Sequence, residues 1–223
     1  MAESKGHVLL LAGSPKPVEQ SGSAARARTV INGLEERGWT SETVHLQTAV
    51  ASDANTADLL AAVDRADAII LAAPLYVDSL PAPTLHALER IAAHRRDGTL
   101  DRSARFVSIL LCGFVEPSQN ATCQLILERF AERAHLGWVG GVSLGGGGAE
   151  AFGKRRIREA LRLIVEAIDE EILLSFSVDE LTEKPTMPSW LYVVGGNAMW
   201  KKVAKQHGAE ERLRAKPYER PKA

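Results

Sequence analysis

Apolar residues along the chain follow two alternating patterns. Five short segments have the composition of strands, and three of them are apolar almost throughout, which is typical of strands buried on both faces. These segments are residues 7–12, 40–46, 68–73, 106–111 and 138–144. Apolar residues recur at helical spacing in the stretches that follow them, in residues 23–37, 58–65, 85–91, 119–135 and 157–172. The alternation predicts an α/β fold in which helices cover both faces of a parallel sheet.

The alternation stops near residue 175. An apolar cluster at residues 190–194 is followed by a basic segment, in which Asn197 predicts the N-cap of a helix that ends before Gly208. We therefore predict a main domain over residues 1–175 and a C-terminal arm with a basic helix over residues 176–223.

The apolar cluster of this arm predicts self-association. A sheet already covered on both faces has little core left to receive it, and large exposed apolar patches are unusual on monomers. Met199 and Trp200 add residue types that are enriched at protein interfaces. We expect a homodimer to which the arm contributes, and the alternative is an arm folded back on its own subunit.

Composition excludes several classes of protein. With 45% hydrophobic and 25% charged residues, the 223-residue chain is an ordinary globular sequence. Its net charge of -1 offers no field for nucleic acid or an anionic membrane, although residues 201–223 carry eight Lys or Arg against three Glu. Two cysteines exclude a disulfide framework, and no signal peptide or membrane-spanning run is evident. We expect a cytoplasmic protein with no metal centre and no membrane insertion.

The loop after the first strand is the first candidate binding site. It spans residues 13–23 and is rich in hydroxyls, and connections of this kind are usually only 2–6 residues long. Because it leads into a helix N-terminus, it predicts a phosphate site. Ser21 or Ser23 serving only as the helix cap is the simpler alternative.

The loop after the third strand has the sequence PLYVDSLP, residues 74–81. Ligands of open parallel sheets bind beyond the carboxyl ends of the strands, where this loop lies. A flat heteroaromatic ring could lie against Tyr76, whereas we expect Ser79 to be the N-cap of the next helix.

Together, GSPK with SGS after the first strand and PLYVDSLP after the third resemble the flavodoxin-like NAD(P)H-dependent FMN reductases and quinone reductases. The resemblance covers about residues 7–175. It implies a doubly wound sheet of strand order 2-1-3-4-5 that binds FMN between strands one and three. The chain departs from the family pattern at Lys16, where many members have Arg, and at the loop CGFVEPSQ after the fourth strand.

The resemblance also implies which residues hold the cofactor. The FMN phosphate would be bound by the first loop, at Ser14, Lys16, Ser21, Gly22 and Ser23. The isoalloxazine ring would be lined by Pro74, Leu75, Tyr76, Val77 and Asp78, together with Cys112, Gly113 and Phe114. No acid–base residue is implied, and Tyr76 is the best candidate beside the ring.

The resemblance implies that the protein is an oxidoreductase. NADPH or NADH would reduce the bound FMN, which would then reduce a quinone, free flavin or similar small acceptor. An electron-transfer flavodoxin is the main alternative, but such carriers are usually strongly acidic. Four cations near the start of the last predicted helix, Lys154, Arg155, Arg156 and Arg158, could attract a phosphorylated reductant, although a solvated face is the simpler interpretation.

Two further motifs point to other enzyme classes. Residues 141–145, GVSLG, match the nucleophile elbow of serine hydrolases, but Ser143 is expected inside a strand rather than at the required turn. Residues 148–155, GAEAFGKR, differ by one residue from a P-loop, because Arg155 replaces the hydroxyl that binds Mg²⁺. A serine hydrolase and a P-loop NTPase are therefore remote alternatives.

Overall fold

The larger part of the chain is built around a five-stranded parallel sheet. The computed structural model describes residues 4–97, 103–148, 153–174, 176–216 and 218. The strands are β1 (His7–Ala12), β2 (Thr40–His45), β3 (Ala68–Pro74), β4 (Arg105–Leu111) and β5 (Gly137–Leu144). Their order is β2-β1-β3-β4-β5, and every neighbouring pair is parallel. The predicted fold class and strand order are confirmed.

Helices cover both faces of this sheet. They are α1 (Gly22–Glu35), α2 (Leu46–Ala49), α3 (Asp53–Arg65), α4 (Ala82–Asp97), α5 (Ala121–Arg133), α6 (Lys154–Asp169) and α7 (Phe176–Glu183). Val8 and Leu10 of β1 pack in the core with α1 and α6, whereas Leu9 and Leu11 pack with α3, α4 and α5. Both faces of the central strand are buried, which explains its uninterrupted apolar sequence.

Two helices have boundaries that differ from those predicted by the apolar pattern, because a polar cap or a left-handed residue sets them. α3 begins at Asp53, five residues before the predicted start, because the Ser52 hydroxyl accepts a hydrogen bond from the Asn55 amide and caps the helix. α6 ends at Asp169, and Glu171 just beyond it has a left-handed φ of 60°. Ile172 therefore lies outside the helix and is 52% exposed, contrary to the predicted extent.

The chain divides into two compact units, Met1–Thr186 and Met187–Ala223. α7 packs against α6 and β5 within the larger unit. The division therefore lies eleven residues beyond the boundary that we predict at residue 175. None of the described helices is long and apolar enough to cross a membrane.

The described part of the smaller unit contains one long helix, α8 (Ser189–Gln206), followed by a 3-10 turn at Glu210–Arg214. The predicted N-cap at Asn197 is wrong, because the helix runs unbroken through that residue and its cap position is Pro188. The apolar cluster at residues 190–194 is thus the first part of the same helix. Gly208 has a φ of 61° just after the helix, which is the left-handed conformation that ends many helices.

Candidate cofactor site

Three loops meet where the strand order of the sheet reverses. The chain passes from β1 outward to β2 on one side, whereas β3 and β4 lie on the other side. Ligands of open α/β sheets bind at such a switch point, beyond the carboxyl ends of the strands. The loops after β1, β3 and β4 all start at this edge.

The β1 loop is anchored to the neighbouring segment by close contacts at Gly13. The Gly13 amide donates to the Ala72 carbonyl at 2.9 Å, and the buried Thr84 hydroxyl of α4 donates to the Gly13 carbonyl at 2.7 Å. A Cβ at Gly13 would lie 2.8 Å from the Thr84 hydroxyl oxygen, so only glycine fits without rearrangement. Thr84 was not predicted from the sequence, because nothing in its surroundings marks a residue that contacts a distant loop.

Two buried hydroxyls lie at the N-terminus of α1, and a third is buried in the loop before it. Ser21 is the N-cap, and its Oγ accepts a hydrogen bond from the Ala24 amide at 3.2 Å. Its Oγ also lies 3.1 Å from the Ser23 Oγ, while the Ser14 Oγ accepts from the Lys16 amide at 3.2 Å. Ser14, Ser21 and Ser23 are each less than 5% exposed. Ser21 therefore caps α1, and Ser23 lies beside it in the first turn of the helix.

The electrostatics of this helix end favour an anion. The first turn of α1 contains no acidic residue, and the positive end of the helix dipole lies there. Lys16 is exposed in the same loop. His45, at the end of β2, donates from Nε2 to the Ser14 carbonyl at 2.8 Å and so fixes the loop in place. A phosphate group bound here would meet hydroxyls, amides and one cation.

The β3 loop contains a tight reverse turn from Tyr76 to Ser79. The amides of these two residues donate to each other's carbonyls, at 2.8 and 3.1 Å. The two central residues, Val77 and Asp78, have φ values of 50° and 59°, which defines the mirror-image turn that normally favours Gly or Asn. Val77 is β-branched and 98% exposed, so this conformation costs on the order of 1 kcal/mol or more.

Ser79 therefore does not cap α4, and that prediction is wrong. Its amide and carbonyl close the reverse turn, and α4 starts three residues later at Ala82. The Pro81 carbonyl accepts hydrogen bonds from the Thr84 and Leu85 amides, so Pro81 occupies the cap position. The strained turn was missed because Val77 does not belong to the residue types that usually announce it.

The β4 loop presents a half-exposed aromatic ring next to a buried thiol. Phe114 is 52% exposed, whereas Cys112 is fully buried and its Sγ lies 3.5 Å from the Glu116 carbonyl oxygen. Burial raises the pKa of the Cys112 thiol above its ordinary value, so the group is protonated at neutral pH. Gly113 has open space where a Cβ would lie.

The glycines after β5 hold this β4 loop. The Gly146 amide donates to the Phe114 carbonyl at 2.6 Å, and the Gly147 amide donates to the Cys112 carbonyl at 2.8 Å. A Cβ at Gly145 would overlap the Val115 carbonyl oxygen. These glycines permit close backbone contact between two loops, a role that their spacing in the sequence does not reveal.

The β3 and β4 loops are also joined to each other and to α5. The Leu75 amide donates to the Leu111 carbonyl at 3.0 Å, and the Cys123 Sγ lies 3.9 Å from the Asp78 carbonyl oxygen. Burial, with a smaller effect of the Asp78 charge, raises the pKa of Cys123 to about 11. Tyr76 is 45% exposed, so each of the two linked loops offers an accessible aromatic side chain to a flat ring.

All the residues predicted to hold a cofactor lie on these three loops, at the end of β3 or in the first turn of α1. The phosphate set is in the β1 loop and at the start of α1, at Ser14, Lys16, Ser21, Gly22 and Ser23. The ring set comprises Pro74, Leu75, Tyr76, Val77 and Asp78 at the end of β3, with Cys112, Gly113 and Phe114 after β4. Their contact with a cofactor stays a prediction.

The structure gives no support to the two remote motifs. Ser143 lies within β5, and its Oγ accepts a hydrogen bond from the Gln124 amide nitrogen at 3.1 Å, a group that cannot remove its proton. Residues 149–152 of the P-loop-like run lie outside the described residues. Among the residues that are described, no three His, Cys, Asp or Glu side chains are grouped so that they could hold a metal ion.

Comparison with protein families gives one match that covers more than half of the chain. Residues 7–126 match the model of the family described as NADPH-dependent FMN reductase. This segment includes the three loops at the switch point. A search of curated proteins finds no match.

Solved structures share the fold at low sequence identity. An NAD(P)H:quinone oxidoreductase from Methanothermobacter marburgensis is 19% identical with a TM-score of 0.56, over 76% of this chain and 96% of that one. An FMN-dependent NADH-azoreductase from Bacillus anthracis in complex with FMN is 13% identical with a TM-score of 0.55, over 74% and 98%. A flavodoxin from Streptococcus pneumoniae is 17% identical with a TM-score of 0.53, over 74% and 99%. Reductases and a flavodoxin thus share this architecture, which shows the fold but does not distinguish their functions.

Proposed function

This chain belongs to the NADPH-dependent FMN reductase family, and from that premise we propose that it passes electrons from NAD(P)H, through FMN bound at the β1, β3 and β4 loops, to a quinone, free flavin or similar small acceptor. Membership of the family confirms the predicted enzyme class, an NAD(P)H-dependent oxidoreductase, and the predicted cofactor, FMN. The acceptor and the residues that hold the FMN belong to the proposal.

One observation carries the assignment of the site. The hydroxyls of Ser21 and Ser23 are buried at a helix N-terminus, and that of Ser14 is buried in the loop before it. Two accessible aromatic side chains, Tyr76 and Phe114, lie on linked loops at the same edge of the sheet. FMN has a terminal phosphate and a flat ring, and these two features require an anion site and an aromatic surface. The residues present therefore fit FMN.

The chain's own groups would bind and orient the cofactor. The Ser23 and Ser14 hydroxyls would donate to the phosphate, while the Ser21 hydroxyl continues to cap α1. The reverse turn uses the amides of Tyr76 and Ser79 for its own hydrogen bonds, so the Val77 and Asp78 amides are those that we assign to the ring. When bound, FMN supplies the chemistry that accepts a hydride and releases electrons.

We expect FMN to raise the melting temperature of flavin-free protein, because a ligand that binds only the native state stabilises it. At a concentration of 100 times Kd the stabilisation is about 2.7 kcal/mol. FAD should stabilise less, because its adenylate must leave a loop shaped for a terminal phosphate. Differential scanning calorimetry with each flavin measures both effects, and an unchanged melting temperature with saturating FMN would refute the proposal.

Steady-state oxidation of NADPH and NADH, with and without a quinone, separates the enzyme from an electron carrier. A reductase turns over many equivalents of reductant when the quinone is present. A flavodoxin-type carrier would not, since it receives electrons from a protein partner. The net charge of -1 offers little field for steering such a partner, which favours the reductase.

We further propose that the protein is a homodimer and that α8 contributes to its interface. Of the 18 residues of this helix only Ala204 is buried. Five large apolar side chains are more than half exposed: Trp190, Val193, Val194, Met199 and Trp200. Exposed aromatic and Met side chains on one helix are characteristic of an interaction surface.

The double substitution Val193→Glu with Trp200→Glu should convert the dimer to a monomer. These residues are seven apart and share a helix face, and each large apolar side chain buried in an interface is worth roughly 1.5–3 kcal/mol. Gln206→Glu, which adds a charge to a polar exposed site of the same helix, should leave the dimer intact. Light scattering at micromolar concentration measures the mass, and a wild-type monomer or an unchanged double variant would contradict the proposal.

A further inference from the structure

A cationic groove lies between α1 and α6. Its volume is about 280 Å³. Polar and charged side chains from both helices line it around an apolar floor, with Arg26 and Thr29 from α1, Lys154 and Arg158 from α6, and Ile157 and Leu161 below them. Among these lining residues, three are cations and none is acidic.

The two helices present their N-termini side by side. Both start at the edge of the sheet where the strands end, so they run parallel to each other. A Cβ at Gly33 of α1 would lie 2.9 Å from a methyl group of Val165 of α6. Each of these residues is eleven positions beyond the first residue of its helix, so the two helices are in register. The positive ends of both helix dipoles therefore lie beside the groove.

Neighbouring cations on α6 are engaged elsewhere. The Arg156 guanidinium donates to the Pro185 carbonyl at 3.1 Å, beyond the end of α7. Arg162 is paired with Glu159 at 2.7 Å and also with Glu166. Lys154 and Arg158, by contrast, line the groove.

The cations at the start of α6 destabilise this helix. The first turn contains no acidic residue, and cations there are repelled by the helix dipole. A bound anion would reverse the sign of that interaction.

We infer that the groove binds a phosphate monoester, namely the 2′-phosphate by which NADPH differs from NADH. Arg and Lys side chains are the usual partners of phosphate groups, and parallel helix N-termini add to the attraction. Arg26 lies three residues beyond Ser23 on α1, roughly 4.5 Å along the helix axis, so the groove adjoins the loop assigned to FMN. The inference rests on the proposed reductase function.

Nucleic acid is a weaker candidate for this groove. A duplex or single strand needs an extended basic track that neutralises several phosphates. Residues 1–200 carry a net charge of -6, and the groove has room for one group rather than a polymer.

Calorimetric titration of adenosine 2′,5′-bisphosphate against adenosine 5′-monophosphate tests the inference without turnover. We expect the bisphosphate to bind the wild-type protein about tenfold or more tightly than the monophosphate. The variant Lys154→Gln with Arg158→Gln, two exposed positions, should lose that preference. Arg162→Gln removes a cation that is already paired and should retain it.

Turnover gives an independent readout. The double variant should lose about tenfold or more in kcat/KM for NADPH, with kcat/KM for NADH unchanged. Inorganic phosphate should compete with NADPH but not with NADH. Equal losses for both reductants, or an unchanged bisphosphate preference in the double variant, would overturn the inference. Failure of the proposed function itself is separate, because it would appear as the absence of FMN binding in the wild-type protein.

Discussion

Gly145→Ala should destabilise the larger unit by about 3 kcal/mol, since inserting atoms into a well-packed region typically costs about 1–3 kcal/mol and this contact is with backbone. Its Cβ would overlap the Val115 carbonyl oxygen and lie 3.0 Å from the Phe114 carbonyl oxygen. Neither group can rotate away as a flexible side chain would. In a unit of this size the loss lowers the melting temperature by roughly 6–12 °C, which thermal unfolding of the flavin-free protein measures.

Gly113→Ala is the matched control, because it lies in the adjoining loop and its Cβ would meet nothing within 4 Å. It should leave the melting temperature of the flavin-free protein within about 1 °C of the wild type. Gly145→Ala should also weaken FMN binding, because the displaced backbone carries Phe114. A melting temperature for Gly145→Ala equal to that of Gly113→Ala would contradict the packing argument.

Ser23→Ala should weaken FMN binding by about 1.5–3 kcal/mol, the usual value of a hydrogen bond to a charged group. Ser23 does not cap α1, so the melting temperature of the flavin-free protein should change little. Ser21→Ala should behave differently, because it removes the cap as well and costs about 1 kcal/mol of stability. Fluorescence titration of FMN gives the affinity, and thermal unfolding separates the two serines.

Ser143→Ala provides the control for this pair. Its hydroxyl accepts from Gln124 within β5 and lies outside the three loops assigned to the cofactor, so FMN affinity and turnover should be unchanged. The reverse outcome, with Ser143→Ala inactive and Ser23→Ala binding FMN normally, would contradict the flavin site and revive the hydrolase hypothesis.

The local pattern of the sequence was sufficient to predict the fold class, because the spacing of apolar residues in strands and in helices reflects which residues are buried. β1 is apolar throughout since it is covered on both faces, and α6 shows its buried stripe at every turn. Where a boundary depends on a polar cap or a left-handed residue instead, as at Ser52 and Glu171, the apolar pattern gives no information.

The β1 loop was also predictable, because its length and hydroxyl content are unusual and the helix after it is evident. Ser21 and Ser23 could be named from the sequence, since an N-cap and its neighbours act within one turn of the chain. The order of the strands was inferred from resemblance to a family, because parallel strands carry no local mark of which neighbour they will pair with.

Tertiary structure alone decided the contacts that hold the site together. The Thr84 hydroxyl binds the Gly13 carbonyl 71 residues away, and the Gly145 backbone packs against the Val115 carbonyl. It also decided that α8 continues through Asn197, and that Lys154 and Arg158 share a groove with Arg26. The sequence by itself determined the elements, because backbone periodicity and capping act over a few residues. The partners of Thr84, Gly145 and Arg26 depended on how those elements pack, since these contacts join residues that are distant along the chain.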